Sequence, residues 1–309
     1  MDRKLRFDLN VEASALLCPN PQEFYSRAYV SQDIVDNFRT VAGVKTETKL
    51  ANVLFGNLTK DSSCSFSAGN EPLAATTITV CPVSAMAEIC RFDLEASFLS
   101  VQMAQGSNGN WTVQSFMDYY WNEMALKINA EISQIMWQGN TALPASPATF
   151  LDVCDGFEKK LLANSSVIDV TAAGSVTAGN VIAEMSKVVA AAPAAIRFKL
   201  NDLRFYVSAD IASLYLAAAA AGNTQTFVTT PLPLTFLGIK VVVCEGMSAK
   251  KMVLALKDSL VYAFDGIDDA KALKAVNLED TVAEPLLRTR VNYKLGFSLL
   301  NADQIVYYS

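Results

Sequence analysis

"NWTVQSFMDYYWNEMALKINAEISQIMWQGN", residues 110–140, is the most regular stretch of the chain. Apolar residues fall at Met117, Tyr120, Trp121, Met124, Ala125, Ile128, Ile132, Ile135 and Met136, the 3.6-residue period of an amphipathic helix. Asp118, Asn122, Glu123, Asn129, Glu131 and Ser133 fill the opposite face, and Glu123, Lys127 and Glu131 stand four apart as mutually supporting charges. The spacing predicts a helix over 113–138, capped by Thr112 or Asn110 and ended by Gly139 in the left-handed conformation. Such a helix is roughly 39 Å long at 1.5 Å per residue. A globule of this chain length has a radius of gyration of about 19 Å, so the rod runs most of the way across its own protein. Trp121 and Trp137 on it read as core or interface anchors rather than cofactor stackers.

Around the rod, composition excludes several functions. The chain has 309 residues, 51% hydrophobic and only 18% charged, against a usual charged share of about 25%. No apolar run reaches the roughly 18 residues needed to cross a bilayer. In "MDRKLRFDLNVEASALL", Asp8 and Glu12 interrupt any signal-peptide core. These features lead to the expectation of a soluble chain made in the cytoplasm, with no membrane partner. Its excess apolar surface is then buried against copies of itself. The net charge of −6 gives no basic footprint for sequence-specific nucleic-acid binding.

There is no histidine in the sequence, which removes the commonest general base and metal ligand and rules out Ser-His-Asp and Cys-His arrangements. Phosphate-binding, dinucleotide-binding, nucleophile-elbow and calcium-loop motifs are missing as well. No catalytic, cofactor or metal residue is expected. The six cysteines (Cys18, Cys64, Cys81, Cys90, Cys154, Cys244) show no C-x-x-C spacing and read as buried free thiols.

Before the rod, residues 1–45 form an arm with a short helix. Residues 46–83 change character: "TETKLANVLFGNLT" and "AATTITVCPV" are strand-like and flank "KDSSCSFSAGNEP", a loop tip rich in turn residues. This predicts a long β-hairpin, and a lone two-stranded hairpin is marginal in water. It therefore packs on its own domain or across a neighbour. After the rod come "TALPASPATFLDVCDGFEKKLLA", a helix in "TAGNVIAEMSKVVAAAP" capped by Thr177, the strand "LRFYVS" and the helix "ADIASLYLAAAAAG". The strands of "LGIKVVVCEGM", "KMVLALK" and "LVYAF" complete an α/β unit over 155–265. In the tail, Leu287, Thr289, Val291, Tyr293 and Leu295 alternate with Arg288, Arg290, Asn292 and Lys294, as in a half-buried antiparallel strand pair.

This order of arm, long hairpin, long helix, "G-N", "DGF", α/β unit and closing strands resembles the major capsid protein of tailed bacteriophages, the HK97-like fold, over nearly the whole chain. The segments that carry the likeness are "TTITVCPVSAMAEICRFDLEASF", "EISQIMWQGNT", "FLDVCDGFEKKL", "LRFYVSADIASLYLAAA", "LGIKVVVCEGM" and "MVLALKDSLVYAFD". The resemblance implies an α+β fold with an N-terminal arm (1–45) and an extended hairpin, or E-loop (46–83). It also implies a peripheral domain (84–154 and 266–309) built on the spine helix, and an axial domain (155–265). The function implied is structural. The chain self-assembles as hexamers and pentamers into an icosahedral shell that encloses double-stranded DNA, and it resides in the virion.

The implied partners are further copies of the chain together with scaffolding, portal and decoration proteins. The implied inter-subunit contacts include Phe55, Leu58, Lys60 and Phe66 of the hairpin with Trp121 and Trp137. Some relatives crosslink a hairpin lysine to an asparagine, and Lys60 with Asn277 or Asn301 occupy comparable stretches. Many relatives carry a cleaved scaffolding region at the start, whereas here Met1 leads almost directly into the arm. The same fold serves encapsulins, compartments that enclose a cargo enzyme, and this is the alternative reading. A cytoplasmic α/β enzyme using carboxylates or a thiol is the remote one, and it requires a concave pocket with converging acids.

Overall fold

The computed structural model describes residues 24, 26–28, 32–53, 73–90, 113–144, 150–172, 174–221, 234–265, 273–278, 284 and 286–309. In chain order the elements are α1 (Gln32–Asn37), β1 (Arg39–Ala42), β2 (Glu47–Val53), β3 (Leu73–Thr79), β4 (Cys81–Cys90), α2 (Val113–Gln138) and α3 (Phe157–Ala163). Then come β5 (Ile168–Val170), α4 (Val181–Ala191), α5 (Ala194–Arg197), β6 (Leu203–Ser208), α6 (Ala209–Ala221), β7 (Thr235–Phe236), β8 (Ile239–Cys244) and β9 (Met252–Leu256). Strands β10 (Leu260–Asp265), β11 (Leu273–Asn277), β12 (Leu286–Leu299) and β13 (Val306–Tyr308) complete the series.

The chain divides into two compact units, one of residues 1–31, 82–130 and 266–294, the other of 32–81, 131–265 and 295–309. The division falls at other points than the domain limits drawn from the sequence. It passes through the long helix and through β12, because the last turns of α2 and the end of β12 carry side chains, such as Trp137 and Phe297, that the second unit buries.

In the first unit, β12 pairs with β11 antiparallel, Val291 opposite Leu273, and also pairs with β4. The alternation read from the tail appears directly in burial. Leu287, Thr289, Val291 and Tyr293 are buried, while Arg288 and Arg290 face solvent. Inside this unit α2 buries Tyr120, Trp121, Ala125 and Ile128, the stripe its period predicts.

The second unit is organised on a six-stranded sheet in the order β5-β13-β9-β6-β8-β7. β6 runs parallel to β8 and antiparallel to β9, with Phe205 opposite Val241 on one side and Leu254 on the other. One face is the main core. Leu203, Phe205 and Val207 from β6 pack with Val181, Met185 and Val188 of α4, Ile211 and Tyr215 of α6, and Val306 and Tyr308 of β13. Successive strand residues face opposite ways, so Tyr206 turns to the other face.

Three expectations are corrected here. "LVYAF" does not join the α/β sheet. As β10 it pairs in parallel with β1, Val261 opposite Arg39, and lies beside β12; the 3-10 turn at Lys257–Ser259 separates it from β9. The residues "VYY" of the tail go the other way. β13 is a strand of the six-stranded sheet, parallel to β5 and antiparallel to β9. The helix expected from Thr177 begins at Val181, because the Asn180 side chain accepts hydrogen bonds from the Thr177 backbone and hydroxyl and closes a turn ahead of it.

A fourth correction concerns the cysteines. Cys81 and Cys154, 73 residues apart, form a disulfide with a Cα separation of 5.8 Å. No short spacing announced it, because the pairing depends on the chain returning after α2. Closing a loop of that length contributes about 4 kcal/mol in the chain-entropy description. Among the described residues the free thiols are Cys90 and the buried Cys244.

Candidate functional site: the hairpin root and the helix end

The hairpin strands β2 and β3 pair antiparallel from Glu47 opposite Thr79 to Val53 opposite Leu73, as a sheet of two strands. Its core contacts lie at the root. Val44, Ile78, Val261, Ala263 and Leu300 make a small buried cluster, with Val41, Leu50 and Val80 packed against it. The Val80 amide donates to the Thr46 carbonyl at 3.0 Å, closing the ribbon where it meets the body. Further out, Lys49, Ala75 and Thr77 are exposed. The expected contact residues Phe55, Leu58, Lys60 and Phe66 lie outside the described residues.

At the other end of the site, α2 stops against the segment that leads into α3. The Gly139 amide donates to Ile135 O at 3.0 Å, the Gly156 amide to Gly139 O at 2.8 Å, and the Asn140 amide to Leu151 O at 2.7 Å. The "G-N" and "DGF" motifs therefore meet in space. Gly139 does not adopt the left-handed conformation expected of it; the glycines with positive φ among the described residues are Gly43 and Gly238. It is a glycine because backbones touch. A Cβ there lies 2.2 Å from Cys154 O, and one on Gly156 lies 2.6 Å from Ile135 O and 2.7 Å from Trp137 O.

Aromatic rings fill the angle beneath this contact. Trp137 sits 5.4 Å from Phe157, 5.9 Å from Tyr206 and 6.2 Å from Phe38, centroid to centroid, and Phe157 also meets Phe297 at 5.5 Å. Trp121 packs in the other unit, 5.5 Å from Phe24 and 5.8 Å from Tyr120. With 3% and 2% of their surfaces exposed, Trp121 and Trp137 are core residues within the chain. That corrects their reading as inter-subunit contacts, since neither offers side-chain surface to a neighbour.

Polar groups fasten the loops on either side. Asp155 Oδ1 accepts from the Thr141 amide and hydroxyl, each at 2.8 Å, and from Lys159 Nζ at 2.6 Å. Burial alone raises this carboxyl, but the hydrogen bonds from Lys159 and Thr141 outweigh it and hold the group below its ordinary value. Its contribution to stability is complete above the usual aspartate pKa of about 3.9 and is lost as pH falls through the lower folded value. Asp155→Asn is therefore expected to flatten the acid limb of a urea-midpoint profile below about pH 4. An unchanged acid limb would count against this role. Glu158 takes the Ser248 amide at 2.7 Å and its hydroxyl at 2.6 Å, and Gln138 Nε2 donates to Gly246 O at 2.8 Å. Thus "CEGMS" joins the same cluster, which sequence order alone did not indicate.

A groove of about 460 Å³ lies on the sheet of the first unit, between Met86 and Glu88 of β4, Lys274 and Val276 of β11, and Arg288 and Arg290 of β12. It holds one carboxylate, Glu88, and that is ion-paired to Arg288. The converging acids required by the enzyme alternative are not found there. Among the described residues no group of three His, Cys, Asp or Glu side chains could hold a metal, and no helix is long and apolar enough to cross a membrane.

No family model matches the sequence, and no curated protein does. Solved structures do match. The capsid of an empty GTA particle is 13% identical with a TM-score of 0.53, covering 92% of this chain and 89% of that one. The satellite phage P4 procapsid is 12% identical with a TM-score of 0.56, covering 93% and 96%. A virus-like particle from Pyrococcus furiosus is 7% identical with a TM-score of 0.52, covering 96% and 97%. At these identities the likeness lies in the path of the backbone, over more than nine-tenths of this chain. The fold of this chain is the HK97-like fold of phage capsid proteins.

Proposed function

We propose that this chain is a capsid shell protein of a tailed phage, which assembles from hexamers and pentamers into an icosahedral container for double-stranded DNA. The observation that carries the reading is the match to phage capsid subunits over about nine-tenths of both chains. The role is structural, with no chemical step. The long helix supplies stiffness. The hairpin, a two-stranded ribbon too thin to be stable alone in water, gains its remaining burial on the next copy. Scaffolding, portal and decoration proteins are the further partners of such a shell. A net charge of −6 suits a wall that must release its DNA, since a strongly basic lining binds phosphates.

Negative-stain microscopy of the protein, expressed alone and then with its neighbouring genes, tests this. Closed shells, tubes or capsomer rings are expected. A uniform monomer or dimer under both conditions rejects the reading. Deleting residues 57–72 is expected to leave a folded subunit that cannot close shells. Normal particles from that deletion would remove the hairpin from the assembly mechanism.

The likeness to the Pyrococcus furiosus virus-like particle favours a second reading, a compartment of the same fold that encloses a protein cargo. Purified shells distinguish the two. Nuclease-protected double-stranded DNA belongs to the phage reading, and a co-purifying enzyme with no DNA to the compartment.

A further inference from the structure

We propose that the Cys81–Cys154 pair is an oxidation-driven lock on the hairpin root, open as two thiols in a reducing cytoplasm and closed once the shell meets an oxidising medium. This rests on the reading of the chain as a shell protein that leaves the cell.

Position is the first support. Cys81 stands two residues beyond Thr79, where the hairpin ends, and opens β4. Cys154 lies in the turn that Gly139 and Gly156 clamp against the end of α2. The bond therefore ties the root of a two-stranded ribbon to a tightly packed part of the second unit. The Cα atoms are 5.8 Å apart, within the range a disulfide spans without backbone movement. The lock thus closes on a frame that is already built.

The second support is the small size of the apolar cluster at the root among the described residues. Its apolar cluster has five buried residues, Val44, Ile78, Val261, Ala263 and Leu300, against twenty around the six-stranded sheet. The Thr79 carbonyl also lies against Gly296 of β12, so closely that a Cβ there would come within 2.5 Å of it. That approach sets where the root sits, and the covalent bond makes its seat permanent.

The third support is access. Cys154 is 3% exposed, whereas Cys81 is partly exposed, so reagents reach the pair through Cys81. With a small-molecule disulfide such as oxidised glutathione, the Cys81 thiolate attacks one sulfur and releases one glutathione thiolate. Cys154 then gives up its proton, attacks the Cys81 sulfur of the mixed disulfide and expels the second. The two protein sulfurs lose two electrons and two protons, and the glutathione disulfide is reduced to two thiols. Cytoplasmic thiol pools hold the pair open, and secretion or lysis removes that restraint. Cys244 does not compete, because burial raises its thiol well above the ordinary value and the low-dielectric surroundings keep it inert.

The test follows thiol state through the life of the particle. Cells making shells are quenched in acid and alkylated with N-ethylmaleimide under denaturing conditions. Purified shells treated with oxidised glutathione are alkylated in the same way, and both are mapped by peptide mass spectrometry. Alkylation of both Cys81 and Cys154 in quenched cells, with a linked peptide in treated shells, is expected. Reductant added to those shells should lower their disruption temperature by roughly 10 °C, and this response should vanish in Cys81→Ser and Cys154→Ser.

A pair already linked in quenched cells overturns the lock, as does a pair still alkylated in treated shells. Linked shells whose heat resistance ignores reductant also overturn it. If no shells form, the shell reading fails separately. The soluble chain treated with oxidised glutathione then decides the redox step, with linkage supporting closure and alkylation rejecting it.

Discussion

Gly156→Ala is expected to yield a chain that is mostly insoluble and makes no shells. The new Cβ would lie 2.6 Å from Ile135 O, 2.7 Å from Trp137 O and 2.8 Å from Gly139 N. All three are backbone atoms of the helix end, so no flexible side chain can yield. Relief requires pulling α2 away from the turn before α3, which breaks the bond from the Gly156 amide to Gly139 O and opens the aromatic cluster below. Overpacking a well-filled site costs about 1–3 kcal/mol, and a clash with backbone on three sides belongs at or above the top of that range. Gly174→Ala, with nothing within 4 Å of the added carbon, is the control and should stay within about 0.5 kcal/mol of the parent. Urea midpoints of the soluble fractions make the comparison. Equal midpoints for Gly156→Ala and Gly174→Ala would refute the close-contact account.

Trp137→Ala carries the second large effect. The indole is 2% exposed and shares its space with Phe38, Phe157 and Tyr206. Removing it leaves a cavity between rings that are themselves fixed by neighbours. Tyr206 donates to the Asn37 carbonyl, and the Asn37 side chain accepts from Lys240 at 3.0 Å. A large aromatic lost from such a place costs about 3–5 kcal/mol. Trp137→Phe keeps much of the volume and should cost less than half as much. A chemical-denaturation series through the three proteins measures the difference. A Trp137→Ala midpoint within error of the parent would mean that the ring cluster collapses freely and does not brace the helix end.

The long helix was legible because its period is written into 26 consecutive residues, and a period can be read without knowing which unit buries each turn. The alternation of 287–293 was legible for the same reason. Where sequence reading failed, the deciding contact lies far along the chain. Gly139 looked like a helix stop, and it is one, but through backbone contact with Cys154 and Gly156 rather than through its own dihedral freedom. Cys81 and Cys154 looked like unrelated thiols because 73 residues separate them. Trp121 and Trp137 left core and interface open, since a buried and a shared indole read alike in a one-dimensional stripe. β13 is three residues long, too short for any period to register, and its place is set by the strands on either side.

That place has a consequence for the order in which the protein can be made. β13 lies between β5 and β9, with Val306, Tyr307 and Tyr308 almost wholly buried. Among the described residues, strand β5 therefore has no partner in its sheet until residue 306 has emerged from the ribosome. A nascent chain, or one cut short by a nonsense codon, carries a broken sheet with its main core exposed on one side. The six-stranded sheet is thus joined up by a strand that is translated after every other strand in it.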